Sequence, residues 1–326
     1  MHNNSRRVLV TGGAGFIGSH LVDELLRGGY KTLVIDNLST GRLKNVPHAP
    51  PQQLVFRKLD LTERSPLLDV TRDVQIVYHF AADPDVRMST VSPETHLREN
   101  IVATFNLVEA LRLNDFGGLF VFASTAAVYG DVTELPVSED YGPARPVSVY
   151  GASKLACEDL LFTYGKLYGF RVASLRFANV IGPRSRHGLI FDFIKKLQAS
   201  AGVLEILGDG EQTRSYVHVD DAVRAITTVT QLLNDSKDLV FNVGNTDWIT
   251  VKTVAEIVCR QMGIAGCRFV AKPATNDGRG WLGDMKNMSL DITRLTGHGW
   301  RPIRTSGQAV RDTANSLIQE LKAQDP

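Results

Sequence analysis

The chain has 326 residues, 43% of them apolar and 22% charged, which suffices for a full core and is too apolar for a disordered chain. At about 150 residues per domain the length allows two domains or one large α/β unit. Lys plus Arg number 36 against 35 Asp plus Glu, so the overall basic excess of a non-specific nucleic-acid binder is missing and no nucleic-acid partner is expected. Cys157, Cys259 and Cys267 are far apart and lack C-x-x-C spacing. They argue against a disulfide framework or a zinc site and for a reducing, cytoplasmic setting. No run approaches the ~18 uncharged apolar residues of a membrane span, and MHNNSRRVLV has no apolar stretch ahead of its first strand, so neither a membrane segment nor a signal peptide is expected.

In chain order, short apolar runs predict buried strands at Val8–Val10, Thr32–Ile35, Leu54–Phe56, Ile76–Phe80, Leu119–Ala123 and Val172–Leu175. Between them Ile17, Leu21, Val22, Leu25 and Leu26 share one helical face, as do Leu97, Ile101, Leu107, Val108 and Leu111. Alternating strand and helix means a parallel sheet covered on both faces, with right-handed crossovers. The regularity weakens after Phe177. Helical patterns continue at Leu189–Leu197, Asp220–Leu233, Val251–Met262 and Ser306–Lys322, and Val240–Val243 reads as a further buried strand that can return to the first sheet. The expectation is an α/β protein: a doubly wound parallel sheet over residues 1–177 and a smaller α/β substrate domain over residues 178–326, interleaved.

The first strand runs into TGGAGFIGSH, Thr11–His20. Gly13, Gly15 and Gly18 fit G-x-G-x-x-G, and Gly12, Gly15 and Gly18 fit G-x-x-G-x-x-G. Glycine is needed where a chain turns tightly and lets its backbone approach a pyrophosphate, which then meets the N–H groups opening the next helix, here at Phe16 and Ile17. Strand before, helix after and an acid behind the second strand make this a Rossmann-type dinucleotide site. That acid is Asp36. Its carboxylate can accept from both ribose hydroxyls and would repel a 2′-phosphate; Asn37 follows it instead of an arginine, so NAD is expected over NADP. Asp60, with Leu61, ends the third strand; it either reaches the adenine amino group or is a solvated loop acid.

Tyr150 and Lys154 are four apart on a predicted helix and share a face. An ammonium near a phenol, with a cationic nicotinamide beside both, favours the phenolate and would bring the tyrosine toward working pH as a proton shuttle. Alone, Y-x-x-x-K reads as a surface pair. It gains meaning from Ser124 and Thr125 at the C-terminal end of Leu119–Ala123, where open α/β sheets bind ligands. His79 at a strand end reads as a structural histidine and Cys157 as core. No His/Cys/Asp cluster has metal-ligand spacing, so no metal is expected. Asp220 and Asp221 suit a helix N-terminus.

TGGAGFIGSHL, DNLSTG, HFAA, STAAVYG, SVYGASK, RFANVIGPR and GDGEQTRSYVHVDD occur in that order between about residues 7 and 304. The chain resembles the extended short-chain dehydrogenase/reductases, within them the nucleotide-sugar epimerases and dehydratases, and most nearly the short archaeal and bacterial branch of UDP-galactose (UDP-glucose) 4-epimerases. The resemblance implies Thr125 as the catalytic hydroxyl with Ser124 beside it, Tyr150 as base, and Lys154 on the nicotinamide ribose. Gly12, Gly15, Phe16, Ile17, Gly18, Asp36, Asn37, Asp60, Leu61 and Phe80, Ala81, Ala82 would line NAD. Asn100 either sits near the cofactor or bridges loops. Asn179 would contact the sugar diphosphate and Arg214 would clamp it. Arg279 is a second clamp or a solvated loop charge, because the family's R-x-G-D spacing is not kept. The residue gating the sugar C2 substituent falls on Met288, where an unbranched side chain would tolerate N-acetyl sugars. A homodimer is implied, paired through helices beginning near Leu97 and Tyr150.

Ala126 and Ala127 stand where the 4,6-dehydratases of the family carry an Asp-Glu pair, which removes the acid and base that dehydration needs; UDP-uronate decarboxylases usually carry a Glu in this stretch. What the resemblance implies is therefore 4-epimerisation of a UDP-hexose. Action on UDP-GlcNAc or a UDP-uronic acid, a dehydratase, and a non-catalytic NAD-binding scaffold are the alternatives.

Overall fold

The computed structural model describes residues 6–200, 202–233 and 239–323, which fall into two compact units. The first comprises the chain to Val128, Ser148–Arg176 and Val223–Phe241; the second comprises Tyr129–Val147, Phe177–Ala222 and the chain from Asn242. The chain thus passes between the units at several points besides the one near residue 177.

The first unit is built on seven strands. β1 (Arg7–Thr11), β2 (Lys31–Asp36), β3 (Leu54–Lys58), β4 (Ile76–His79), β5 (Leu119–Thr125) and β6 (Arg171–Phe177) are joined by Leu239–Val243. Their spatial order is Leu239–Val243, β6, β5, β4, β1, β2, β3. β1 pairs in parallel with both β2 and β4, β2 with β3, and β4 with β5. The order reverses between β1 and β4, which is the switch point where doubly wound sheets open a ligand crevice. Runs such as Val8–Val10, wholly buried, read as continuous apolar strands because helices cover both faces. Helix α1 (Phe16–Arg27) buries Gly18, Leu21, Val22 and Leu25. Leu107, Val108 and Leu111 of the helix Ala103–Leu113 pack with Phe120, Phe122, Cys157 and Leu161 in one core. That helix is entered through a π-helical turn, Leu97–Val102, a feature that concentrates at functional sites.

The second unit carries short sheets. Val203–Leu207 pairs in parallel with Arg268–Lys272, and Thr213–Arg214 lies between Ile249–Thr250 and Asn287–Met288. Its core joins the helices Leu189–Ala199, Val251–Gln261 and Ser306–Lys322 through Phe193, Ile194, Val254, Val258, Val310 and Leu317. The last helix starts on a capping box, Thr305 with Gln308, which satisfies two otherwise orphaned N–H groups. No helix among the described residues is long and apolar enough to cross a membrane.

Candidate functional site

The glycine loop joins β1 to α1. Gly12 adopts φ 68°, a conformation that favours glycine. A Cβ on Gly18 would stand 2.3 Å from the Gly12 carbonyl oxygen, so the helix can pack this close to the loop only without a side chain. The first helical N–H groups, at Phe16 and Ile17, have no partner inside the helix. At the end of β2, Asp36 accepts from the Ala14 N–H at 3.0 Å and the Leu38 N–H at 2.8 Å, one hydrogen bond to each oxygen, which leaves lone pairs on both. Asn37 donates to Asp60 Oδ2 at 3.0 Å, and Thr62 donates its N–H and hydroxyl to Asp60 Oδ1 at 2.8 and 2.7 Å. These bonds hold the Asp60 carboxyl below its usual range against the opposing effect of burial. Asp60 is a bonded loop acid in contact with Asn37; Leu61 beside it is buried.

The chemistry-bearing residues gather at the C-terminal end of β5. The Thr125 hydroxyl accepts from the Ala127 N–H at 3.2 Å as the chain enters a 3₁₀ turn, Ala126–Val128. The helix Val149–Tyr168 is capped by Ser148, whose hydroxyl accepts from the Gly151 N–H at 3.1 Å. Tyr150 therefore lies in the first turn, where its N–H has no helical partner and donates to Ser89 Oγ at 3.1 Å. The Thr125 hydroxyl bears on the Tyr150 phenol and favours its ionised form. One turn on, Lys154 is buried, donates to the Ala123 carbonyl at 2.9 Å and lies 4.8 Å above the Phe122 ring.

Burial pushes the Tyr150 phenol up to about 12, with the Thr125 hydroxyl pulling it back; burial also brings the Lys154 ammonium down to about 8. The lowering of the phenol expected from the sequence calls on a cationic nicotinamide beside the ammonium. In the structure the ammonium serves Ala123 and Phe122, and the hydroxyl of Thr125 is what favours the phenolate.

Asn100 realises its bridging role: its Oδ1 accepts from the Asp83 N–H at 2.9 Å and its Nδ2 donates to Ser153 Oγ at 2.8 Å, which in turn donates to the Tyr150 carbonyl at 2.8 Å. This chain of bonds ties the loop after β4, the π-helical turn and the first turn of Val149–Tyr168 to one another. His79 is the structural histidine the sequence suggests. Its Nδ1 meets Thr11 Oγ1 at 2.7 Å and its Nε2 meets Thr104 Oγ1 at 2.8 Å. Because Thr104 donates to the Asn100 carbonyl, Nε2 carries the proton, and burial holds the ring neutral, down to about 3. Phe80, Ala81 and Ala82 follow β4, and the Ala81 N–H donates to Thr11 Oγ1 at 3.4 Å.

In the second unit, Arg214 donates to Asp284 Oδ1 at 2.7 Å, to the Thr213 and Lys286 carbonyls at 2.8 Å each, and to the Met285 carbonyl. Burial pushes the Asp284 carboxyl up in spite of that guanidinium. Arg279 pairs with Asp131 at 2.9 Å and Asp277 at 2.7 Å and donates to the Asp284 carbonyl at 2.7 Å. It is an ion-paired loop charge, neither free in solvent nor open-handed. Asn179 is exposed and donates to the Ser215 carbonyl at 3.2 Å. Met288 is buried on the strand beside Arg214.

The first unit fits a dinucleotide. It offers a glycine cradle that a Cβ would fill, open N–H groups at a helix start, an acid at the end of β2 with spare lone pairs, and a buried Ser124 hydroxyl with no partner at the end of β5. Three supports escaped the sequence reading: Ser89, Ser153 and His96. Ser89 and Ser153 carry no signal apart from falling on elements that brace Tyr150; His96 lies one helical step, i to i+4, before Asn100.

These features define a dinucleotide-binding enzyme of the Tyr-x-x-x-Lys class. Residues 8–244 match the NAD dependent epimerase/dehydratase family, and the chain belongs to that family, with NAD as its cofactor. It is 35% identical over 300 residues to a putative UDP-glucose 4-epimerase of Methanocaldococcus jannaschii, covering 90% of this chain and 93% of that one. It is 29% identical to the UDP-glucuronic acid decarboxylase 1 of Xenopus tropicalis, covering 98% of this chain and 74% of that one. Among solved structures, a UDP-galactose 4-epimerase superimposes with TM-score 0.86 at 42% identity, over 97% of this chain and 99% of the other.

Proposed function

We propose that the chain is an NAD-dependent UDP-hexose 4-epimerase that interconverts UDP-galactose and UDP-glucose. The observation that carries this is the Thr125 hydroxyl acting on the Tyr150 phenol, with two buried alanines, Ala126 and Ala127, directly after Thr125. A hydroxyl relay and one base suffice for reversible oxidation at C4, whereas dehydration needs a further acid and base, and neither alanine can move a proton. The 35% and 42% identities to 4-epimerases support the same reading.

In this mechanism Tyr150, as phenolate, takes the proton of the sugar O4, with Thr125 and Ser124 as hydroxyl partners of that oxygen. Bound NAD supplies the acceptor and donor of the C4 hydride. Tyr150 returns the proton once the 4-keto sugar has turned over. Lys154 would hold the nicotinamide ribose; Gly12, Gly15, Phe16, Ile17 and Gly18 would hold the pyrophosphate; Asp36, Asn37, Asp60, Leu61, Phe80, Ala81 and Ala82 would line the rest of NAD. Asn179, Arg214 and Arg279 serve the UDP diphosphate, for which the two arginines exchange carboxylate partners for phosphate oxygens. Binding energy from the nucleotide retains the intermediate while the hexose rotates.

A homodimer in the cytoplasm completes the proposal: Leu97, Phe105, Leu113, Val149 and Leu167 are exposed apolar residues on the two helices that would pair. A UDP-N-acetylglucosamine 4-epimerase of Methanobrevibacter ruminantium superimposes with TM-score 0.83 at 30% identity, and with the unbranched Met288 it favours tolerance of N-acetyl sugars as a second activity. Incubation of the purified protein with UDP-GlcNAc tests it: slow formation of UDP-GalNAc is expected, and no turnover beside active UDP-galactose turnover removes the second activity alone.

A further inference from the structure

Cys259 and Cys267 are free thiols eight residues apart, and the second unit brings both to one place. Cys259 lies near the end of the helix Val251–Gln261, on the face that Val251, Val254, Ala255 and Val258 turn into the core. The helix ends on a fixed turn. The Ile264 N–H donates to the Cys259 carbonyl at 3.0 Å and the Gly263 N–H to the Arg260 carbonyl at 3.1 Å, with Gly263 at φ 71°. This paired bonding closes a glycine-terminated helix and sends the chain off in a set direction. A second turn at Gly266, φ 67°, leads into the strand Arg268–Lys272, which is anchored from its first residue by the Arg268 N–H on the Gly202 carbonyl at 2.9 Å. Cys267 directly precedes that strand, and alternation puts it on the side of Phe269. Helix and strand face one surface cavity of about 470 Å³, lined by Glu256, Cys259 and Arg260 on one side and by Cys267 and Phe269 on the other.

The two thiols differ in access. Cys259 is 5% exposed and Cys267 is half-buried. Burial pushes the Cys259 thiol up to about 12, and the Cys267 thiol and the Glu256 carboxylate act in the same direction. Cys259 therefore keeps its proton, and Cys267 is the sulfur that meets a reagent from solvent. A buried cysteine by itself packs as a small apolar side chain. Here its neighbour across the cavity is a second sulfur that solvent reaches.

We propose that Cys259 and Cys267 form a redox-responsive dithiol that a peroxide closes to a disulfide, tying the end of the helix Val251–Gln261 to the start of the strand Arg268–Lys272. The Cys267 sulfur, as thiolate, attacks one peroxide oxygen; the O–O bond breaks and hydroxide leaves, giving a sulfenic acid. The Cys259 sulfur then attacks the Cys267 sulfur. The S–S bond forms, the S–O bond breaks, and the oxygen leaves as water with the Cys259 proton. Two thiols and one hydrogen peroxide become one disulfide and two waters, the sulfurs being oxidised and the peroxide reduced. The second step is the slow one, because Cys259 must give up its proton. The share of its resistance that comes from Cys267 disappears once that sulfur is oxidised, and the attack is intramolecular. A thiol reductant reopens the bond by exchange. The proposal is independent of the reaction assigned to Tyr150.

The test treats the full NAD-loaded protein with hydrogen peroxide, alkylates the remaining thiols under denaturing conditions and digests with trypsin in the absence of reductant. Cleavage after Lys252, Arg260 and Arg268 puts the two cysteines in separate peptides, Thr253–Arg260 and Gln261–Arg268. The expected product is these two peptides joined, with free thiols falling from three per chain to one, Cys157, and returning to three with dithiothreitol. With Cys259→Ser, dimedone should trap a sulfenic acid on Cys267 and no joined peptide should form; with Cys267→Ser, Cys259 should stay a thiol. Cys259 recovered alkylated from peroxide-treated wild-type protein overturns the proposal. So does a cross-link between two chains through Cys267, or oxidation of Cys259 in the Cys267→Ser protein as fast as in wild type. If Cys259→Ser does not fold, the wild-type digest and Cys267→Ser decide.

Discussion

The two units treat their polar groups in opposite ways. Around β5 in the first unit, the groups nearest the proposed chemistry have capacity to spare: the Ser124 hydroxyl and both nitrogens of His96 are buried without partners. In the second unit the two candidate phosphate ligands are fully engaged, Arg214 by Asp284 and three carbonyls, Arg279 by Asp131, Asp277 and a carbonyl. A site that moves a proton benefits from polar atoms kept out of water and aimed at an incoming group. A site that captures a highly charged diphosphate can hold its cations in ion pairs until a stronger anion displaces the carboxylates. The first unit stores unmet hydrogen bonds; the second stores exchangeable ones.

That contrast can be broken in order of size. Tyr150→Phe removes the base alone and should lower turnover by about 10²–10⁴-fold while NAD stays bound, as read from the absorbance of the bound nucleotide; loss of NAD along with turnover would assign the tyrosine to the fold. Arg214→Ala strands the buried Asp284 and should cost about 3 kcal/mol in urea unfolding, far more than an exposed pair would. If it changed only the KM for the nucleotide sugar, the ion pair would be dispensable and the engaged state of the second unit would be a poor description. The neutral His79 supplies a pH test of the first unit. Its folded value is about 3 against an ordinary 6.5, so the unfolded chain binds more protons between those values and stability must fall as pH falls through that window, by about 2 kcal/mol from pH 7 to 5. His79→Gln should flatten that slope; an unchanged slope would mean other groups produce it. The smallest effect is at Arg279, whose carboxylate partners are half exposed. Arg279→Ala should cost under about 1 kcal/mol of stability and show itself in KM for the UDP-sugar, while an unaltered KM would remove it from the diphosphate.

Most of the first unit was legible in the sequence because one motif and one period carry it. Gly12, Gly15 and Gly18 are demanded by backbone geometry, Asp36 by its place at the end of β2, and the apolar runs of β1 to β6 by burial on both faces. The partners of Lys154 were not legible: spacing puts it on the Tyr150 face, but only the fold shows that the Ala123 carbonyl and the Phe122 ring take the ammonium. His96 was invisible for the same reason, since a histidine in a short turn announces neither its burial nor its lack of partners. In the second unit, short strands of two to five residues leave no period to read. The engagement of Arg214 with Asp284 spans 70 residues of sequence, a separation that no local pattern records.

The most direct test of the account is proton NMR of the purified protein with UDP-galactose and no added cofactor. Because the proposed reaction returns its hydride, NAD carried by the protein suffices, and the anomeric signal of UDP-glucose should grow to equilibrium with the wild-type chain and stay absent with Tyr150→Phe. A wild-type protein that holds NAD and leaves UDP-galactose unchanged would contradict it.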